Sequence, residues 1–160
     1  GPIAIRYPRG SAHQGLREYQ APVEYGRSEI IRKGKKIAVL GVGSMIPSCM
    51  EICKGLKDDG YDPTFVNARF VKPLDVDLLD ELAKDHSLFV TVEENVKSGG
   101  YGEHVSAYME ACHPEIRVLS AAVWDRFVPQ GNVESLRSRI GLGVEDIRQA
   151  IEDSEELREQ

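Results

Sequence analysis

The stretch Lys36-Ile37-Ala38-Val39-Leu40-Gly41-Val42-Gly43-Ser44-Met45 decides the fold. Ile37 to Leu40 form an unbroken apolar run, the pattern of a strand covered on both faces, and such strands belong to parallel sheets flanked by helices. Gly41-Val42-Gly43 ends the run. Met45, Cys49, Ile52, Cys53 and Leu56 then recur at helical spacing, with Ser44 expected to cap the helix and Pro47 tolerated in its first turn. Strand, tight turn and amphipathic helix make the repeating unit of an α/β protein.

Upstream, Glu29–Arg32 reads as a strand joined to Lys36–Gly41 by a turn at Lys33-Gly34-Lys35, so these two are expected to pair antiparallel. Downstream, the alternation continues. Asp62–Asn67 is the next strand, and Pro73-Leu74-Asp75 opens a short helix that buries Leu78, Leu79 and Leu82. Leu88–Val92 is a buried strand. Gly99-Gly100 precedes a helix carrying Tyr101, Val105, Tyr108, Met109 and Cys112 in register, and Ile116–Leu119 is the last strand. Helical segments over about 132–140 and 143–153 are divided by Gly141 and Gly143. The expected fold is a three-layer α/β/α sandwich over 29–153, with a mainly parallel five-stranded sheet, one antiparallel edge strand and a charged tail over 154–160.

The front of the chain has a different character. Ile3, Ile5 and Tyr7 alternate with Ala4 and Arg6, and Pro8 stops the strand, so residues 1–10 read as the end of another domain. Residues 11–28 show no sustained period but hold Leu16, Tyr19 and Tyr25. These are too many anchors for a free tether, which predicts an ordered linker.

With 160 residues, 41% hydrophobic and 29% charged, the chain can bury a sizeable core without disulfides or metal. Its apolar runs are far short of the ~20 residues that span a bilayer, and its front shows no signal-peptide pattern. Three cysteines in no framework spacing fit a reducing cytoplasm. A net charge of −6 argues against nucleic acid and membrane surfaces as partners.

Gly41-Val42-Gly43 stands where a dinucleotide fingerprint would, but Ile46 replaces its third glycine. Asn67-Ala68-Arg69 ends the next strand where an acidic residue would be needed, so the segment reads as a tight turn. Glu93 and Glu94 end a buried strand and could serve as acid, base or metal ligands. Adjacent strand residues face opposite ways, however, so they form no dyad. One is expected to accept from backbone N–H groups and the other to face an interface. Arg69 could grip a phosphate or carboxylate, although a structural ion pair is the preferred reading. Asp125-Arg126-Phe127-Val128-Pro129-Gln130-Gly131 reads as a packed connector anchored by Trp124 and Phe127. His13, His86, His104 and His113 show no ligand spacing, and Cys49 and Cys53 read as core rather than zinc ligands. No complete catalytic set emerges.

Four ordered segments carry a resemblance: Ile5-Arg6-Tyr7-Pro8-Arg9-Gly10; Ala68-Arg69-Phe70-Val71-Lys72-Pro73-Leu74-Asp75; Val90-Thr91-Val92-Glu93-Glu94-Asn95 with Gly99-Gly100-Tyr101-Gly102; and Asp125 to Gly131. Together they resemble the C-terminal part of the 1-deoxy-D-xylulose-5-phosphate synthase family, thiamine-diphosphate enzymes related to transketolase. The resemblance implies condensation of pyruvate with glyceraldehyde 3-phosphate, with loss of carbon dioxide, at the start of non-mevalonate isoprenoid synthesis. The product of that family also feeds thiamine synthesis.

The resemblance further implies that residues 1–10 end the pyrimidine-binding domain and that Arg9 holds the acceptor's phosphate. It implies a homodimer in the full-length enzyme, with thiamine diphosphate and Mg2+ bound by the N-terminal and pyrimidine-binding domains. The family's Gly-Asp-Gly…Asn motif does not occur in this sequence, so the chain alone is expected to bind neither cofactor nor metal and to be inactive. Arg69, Glu93, Glu94 and Asp125 are then interface or structural candidates. Two other readings stand beside this one: a stand-alone module of the same fold with a binding or regulatory role, and a nucleotide-binding oxidoreductase domain. Ile46 and the missing acidic residue disfavour the latter.

Overall fold

The computed structural model describes residues 1–2, 4–5, 13–16, 18–19 and 21–154. Five strands, β1 (Glu29–Arg32), β2 (Lys36–Gly41), β3 (Thr64–Asn67), β4 (His86–Val96) and β5 (Arg117–Val123), form one sheet in the order β1-β3-β2-β4-β5. β3, β2, β4 and β5 run parallel, and β1 is antiparallel to β3. The helices are α1 (Ile46–Asp58), α2 (Val76–Ala83), α3 (Tyr101–Cys112), α4 (Val133–Arg139) and α5 (Val144–Glu152).

The period-two strands split the core into two layers. Ile37, Val39, Phe65, Leu88, Val90 and Val92 pack against Cys49, Ile52, Cys53 and Leu56 of α1 and against Ile147 and Ile151 of α5. Ala38, Leu40, Val66 and Phe89 turn the other way, onto Leu78, Leu79 and Leu82 of α2 and Tyr101, Val105 and Met109 of α3. This is the expected α/β/α sandwich. Burial pushes the Cys53 thiol up to about 12 and that of Cys49 up as well, so both sit in the core as neutral thiols.

The expected hairpin between β1 and β2 is corrected. Both edges of β2 are taken by parallel neighbours, β3 on one side and β4 on the other, so β1 passes across and pairs with β3. Gly34 makes the crossing possible: Gly34 N donates to Thr64 Oγ1 at 2.9 Å, and a Cβ at Gly34 would lie 2.1 Å from the Asp62 carbonyl.

Ser44 does not cap α1. It lies in a single 3-10 turn over Gly43–Met45, and its hydroxyl points instead to Glu94. Asp75 does cap α2, accepting from Leu78 N, and it also accepts from Ser28 N at 2.7 Å and Arg27 Nη1 at 3.0 Å. The segment before β1 is thereby tied to the start of α2. Leu16 packs on the α1/α5 side of the core, while Tyr25 stays exposed and meets Phe70 edge-on at 5.7 Å. Among the described residues no helix is long and apolar enough to cross a membrane.

Candidate functional site

In an open α/β sheet the ligand crevice lies outside the carboxyl ends of the strands, where successive connections leave towards opposite faces. Here that point lies between β2 and β4. The chain leaves β2 for α1 on one face and leaves β4 for α3 on the other. The residues at this point are the Gly41–Ser44 turn and the Glu93-Glu94 pair.

The two carboxylates part as the strand period requires. Glu93 is only 1% exposed and turns under the start of α3, where Oε2 accepts from Tyr101 N at 3.0 Å and Oε1 from Gly102 N at 2.8 Å. A carboxylate at a helix N-terminus meets unsatisfied N–H groups and the positive end of the helix dipole. Gly100 allows the approach, since a Cβ there would lie 2.6 Å from Glu93 Oε1. Glu94 turns to the opposite face. It accepts the Ser44 hydroxyl and, at 2.9 Å, Arg137 Nε of α4. The crevice between β2 and β4 is thus bridged by the protein's own Ser44, Glu94 and Arg137, in the place where a dinucleotide would need free backbone N–H groups.

Arg69 lies beyond β3, mostly buried, and forms an ion pair with Glu29 of β1 while Nη1 donates to the Pro22 carbonyl at 3.3 Å. It fastens the chain before β1 to the carboxyl end of β3. Asp125 is exposed in the loop after β5, far in sequence from the other site residues. Arg9 lies outside the described residues.

The Asp125–Gly131 loop is not a packed connector, which corrects the reading above. Phe127 is fully exposed at 105%, Trp124 is 59% exposed, and Val128 and Val133 are also open. Lys97 Nζ lies 4.8 Å over the Trp124 ring. Aromatic content signals burial, but among the described residues both rings stay open.

A second cluster joins α2 to the end of α3. Asp80 Oδ1 accepts from the Tyr108 hydroxyl at 2.8 Å and from His113 Nε2 at 2.7 Å, and these bonds hold the Asp80 carboxyl below its usual range. This surface pairing was not legible in the sequence, because the two helices are separated by all of β4. Among the described residues no three His, Cys, Asp or Glu side chains stand together as a metal site.

Fold and site together define an α/β/α domain whose carboxyl edge is bridged by Ser44, Glu94 and Arg137 and flanked by an exposed aromatic loop. The chain belongs to the transketolase C-terminal domain family, whose pattern matches residues 26–147. Curated relatives named 1-deoxy-D-xylulose-5-phosphate synthase include that of Lachnoclostridium phytofermentans, 41% identical over 92% of this chain, and that of Dictyoglomus thermophilum, 40% identical over 94%. The chain spans about a quarter of their length, 24% and 25% respectively, in their C-terminal region. Among solved structures, a split-gene transketolase described as an inactive beta4 tetramer superposes with a TM-score of 0.78. It is 28% identical and matches 86% of this chain and 44% of its own. A transketolase from Campylobacter jejuni shares the fold, with a TM-score of 0.57 at 17% identity, over 81% of this chain and 19% of its own.

Proposed function

We propose that this chain acts as the C-terminal domain of a thiamine-diphosphate-dependent synthase that joins pyruvate and glyceraldehyde 3-phosphate to 1-deoxy-D-xylulose 5-phosphate, releasing carbon dioxide, in the cytoplasm. The observation that carries the reading is near-40% identity, along nearly the whole chain, to several synthases of that name. Thiamine diphosphate and Mg2+ supply the carbanion chemistry in such enzymes and are held by the N-terminal and pyrimidine-binding domains.

The residues of this chain bind and brace. Arg9 pairs with the phosphate of the acceptor. Arg69 with Glu29, and Asp75 with Arg27 and Ser28, fix the segment that leads from Arg9 into the sheet. The exposed Trp124–Val133 loop meets the rest of the enzyme, which works as a homodimer. The isolated chain is inactive.

The test has two arms. Calorimetric titration of this chain with thiamine diphosphate and Mg2+ should show no binding, and micromolar affinity would overturn the division of labour. In the full-length polypeptide, Arg9→Ala should raise KM for glyceraldehyde 3-phosphate while leaving pyruvate use nearly intact. Equal losses for both substrates would count against the phosphate role.

A further inference from the structure

The two edges of the sheet are built differently. β1 is four residues long, carries Glu29 and Arg32, is followed by Lys33, and has an irregular register between Ile30 and Arg32. Short length, charge and irregularity are the usual protections of an exposed strand edge. β5 is less guarded: its one charge is Arg117 at its start, and its register shifts only past Ala121. It runs seven residues as Arg-Val-Leu-Ser-Ala-Ala-Val, uncharged from Val118 to Val123, with regular register against β4 from Arg117 to Ala121. Among the described residues no strand lies on its outer side, and no described backbone group outside the sheet bonds to Arg117–Ala122. Val118, Leu119, Ser120 and Ala121 are left half-buried, on both faces of the sheet.

We propose that β5 is a self-association edge, pairing antiparallel with β5 of a second copy of this chain about a two-fold axis at Ser120. The inference deepens the self-assembly part of the reading above and rests on it. The β5 sequence is self-complementary in that register. Leu119 falls opposite Ala121 on one face and Val118 opposite Ala122 on the other, so each large side chain meets a small one. Arg117 then falls diagonal to Asp125 of the second copy, and the symmetry repeats this opposite-charge pair. Both residues are exposed in the single chain, and diagonal neighbours lie within reach of a long side chain.

A seven-residue strand edge alone is smaller than the ~800 Å² that each partner contributes to a stable interface. Trp124 and Phe127 follow directly on the strand, exposed by 59% and 105%. Aromatic side chains bury roughly 150–250 Å² each, so these two bring the contact into range.

Sedimentation equilibrium of this chain tests the assignment. The wild type should form a dimer of twice its 17.8 kDa mass. Arg117→Asp and Asp125→Arg should each weaken the dimer about tenfold, and the double exchange should restore it to within about threefold, since a cycle of this kind isolates the pair. Isotope-filtered nuclear Overhauser spectra on mixed labelled and unlabelled chains should connect Leu119 of one copy to Ala121 of the other. A monomer up to about millimolar concentration, a dimer indifferent to both charge reversals, or cross-copy contacts placed away from β5 would each overturn the proposal. The synthase reading fails on a different result, absence of product from the full-length polypeptide, so the two can fail separately.

Discussion

Glu93 accepts from Gly102 N at 2.8 Å, and the same glycine has no side chain because two strands stand where it would go: a Cβ there would lie 2.5 Å from Thr91 Oγ1 and 2.2 Å from Ser120 Oγ. Gly102 is therefore fixed from two sides, by a carboxylate at its N–H and by β4 and β5 at its Cα. Through it the start of α3 is set tightly on the sheet at the strands' carboxyl ends. The Glu-Glu and Gly-Gly-Tyr-Gly segments of the sequence are in this sense one device.

Removing the carboxylate should cost stability. Glu93→Ala leaves Tyr101 N and Gly102 N unpaired in a buried site, and hydrogen bonds to a charged group are each worth about 1.5–3 kcal/mol. We expect a loss of about 3 kcal/mol in urea unfolding, with Glu93→Gln losing less because one amide oxygen still accepts. A midpoint that hardly moves for Glu93→Ala would show the carboxylate to be dispensable.

Gly102→Ala sets helix propensity against packing. Alanine in place of glycine favours a helix by up to about 1 kcal/mol, but forcing a methyl group against two short side chains on rigid strands typically costs 1–3 kcal/mol. The net effect should be destabilising. Ser120→Ala added to Gly102→Ala should recover part of the loss. It removes the nearer oxygen, which makes no hydrogen bond with the described residues and so has little to forfeit. Purely additive effects of the two changes would rule out the contact.

His86 should give the fold a pH dependence of known sign. Its Nδ1 donates to the Leu82 carbonyl at 2.8 Å, and its Nε2 takes the Thr64 hydroxyl proton at 2.7 Å, so the ring is held neutral. Burial pushes its pKa down, against the smaller upward pull of the Leu82 carbonyl and Asp85. Above the unfolded value of about 6.5 neither state is protonated and the residue adds no slope. As the pH falls below that, the unfolded chain takes up the proton first. Stability therefore drops, levelling off once the folded value is passed. Unfolding midpoints measured from pH 8 to pH 5 should show this fall in the wild type and a shallower one in His86→Gln. Equal slopes would mean that His86 titrates normally.

Much of the architecture is legible because it rests on local periodicity. The run Ile37–Leu40 and the apolar faces of α1, α2 and α3 are written in spacing alone, as are the opposite directions of Glu93 and Glu94. What spacing does not carry is pairing across the chain. The short turn before Lys36 suggested a hairpin, yet the edges of β2 belong to strands that come later in the sequence. β4 extends to Val96, well beyond the apolar run ending at Val92, because Glu93 and Glu94 find partners in α3, the Gly43–Met45 turn and α4. None of those partners is adjacent in sequence. Ser44 resembles a helix cap for the same reason: its residue type fits, but a carboxylate from β4 takes its hydroxyl.

Trp124 and Phe127 mark the other limit of sequence reading, and their behaviour separates stability from assembly. Residue type predicts that both are buried, and among the described residues neither is. A side chain with no contacts within its own domain contributes little to that domain's folding, so Phe127→Ser should leave the unfolding midpoint of this chain, measured dilute enough to be monomeric, within about 0.5 kcal/mol of wild type. A side chain covered only in the assembly behaves otherwise: aromatic anchors at an interface commonly cost 2 kcal/mol or more when removed. The same Phe127→Ser change in the full-length polypeptide should therefore lower its thermal midpoint or loosen its assembly, read by differential scanning calorimetry and sedimentation. A change that destabilises the monomeric chain would place Phe127 in the core after all, and one that alters neither would leave the loop without a structural partner.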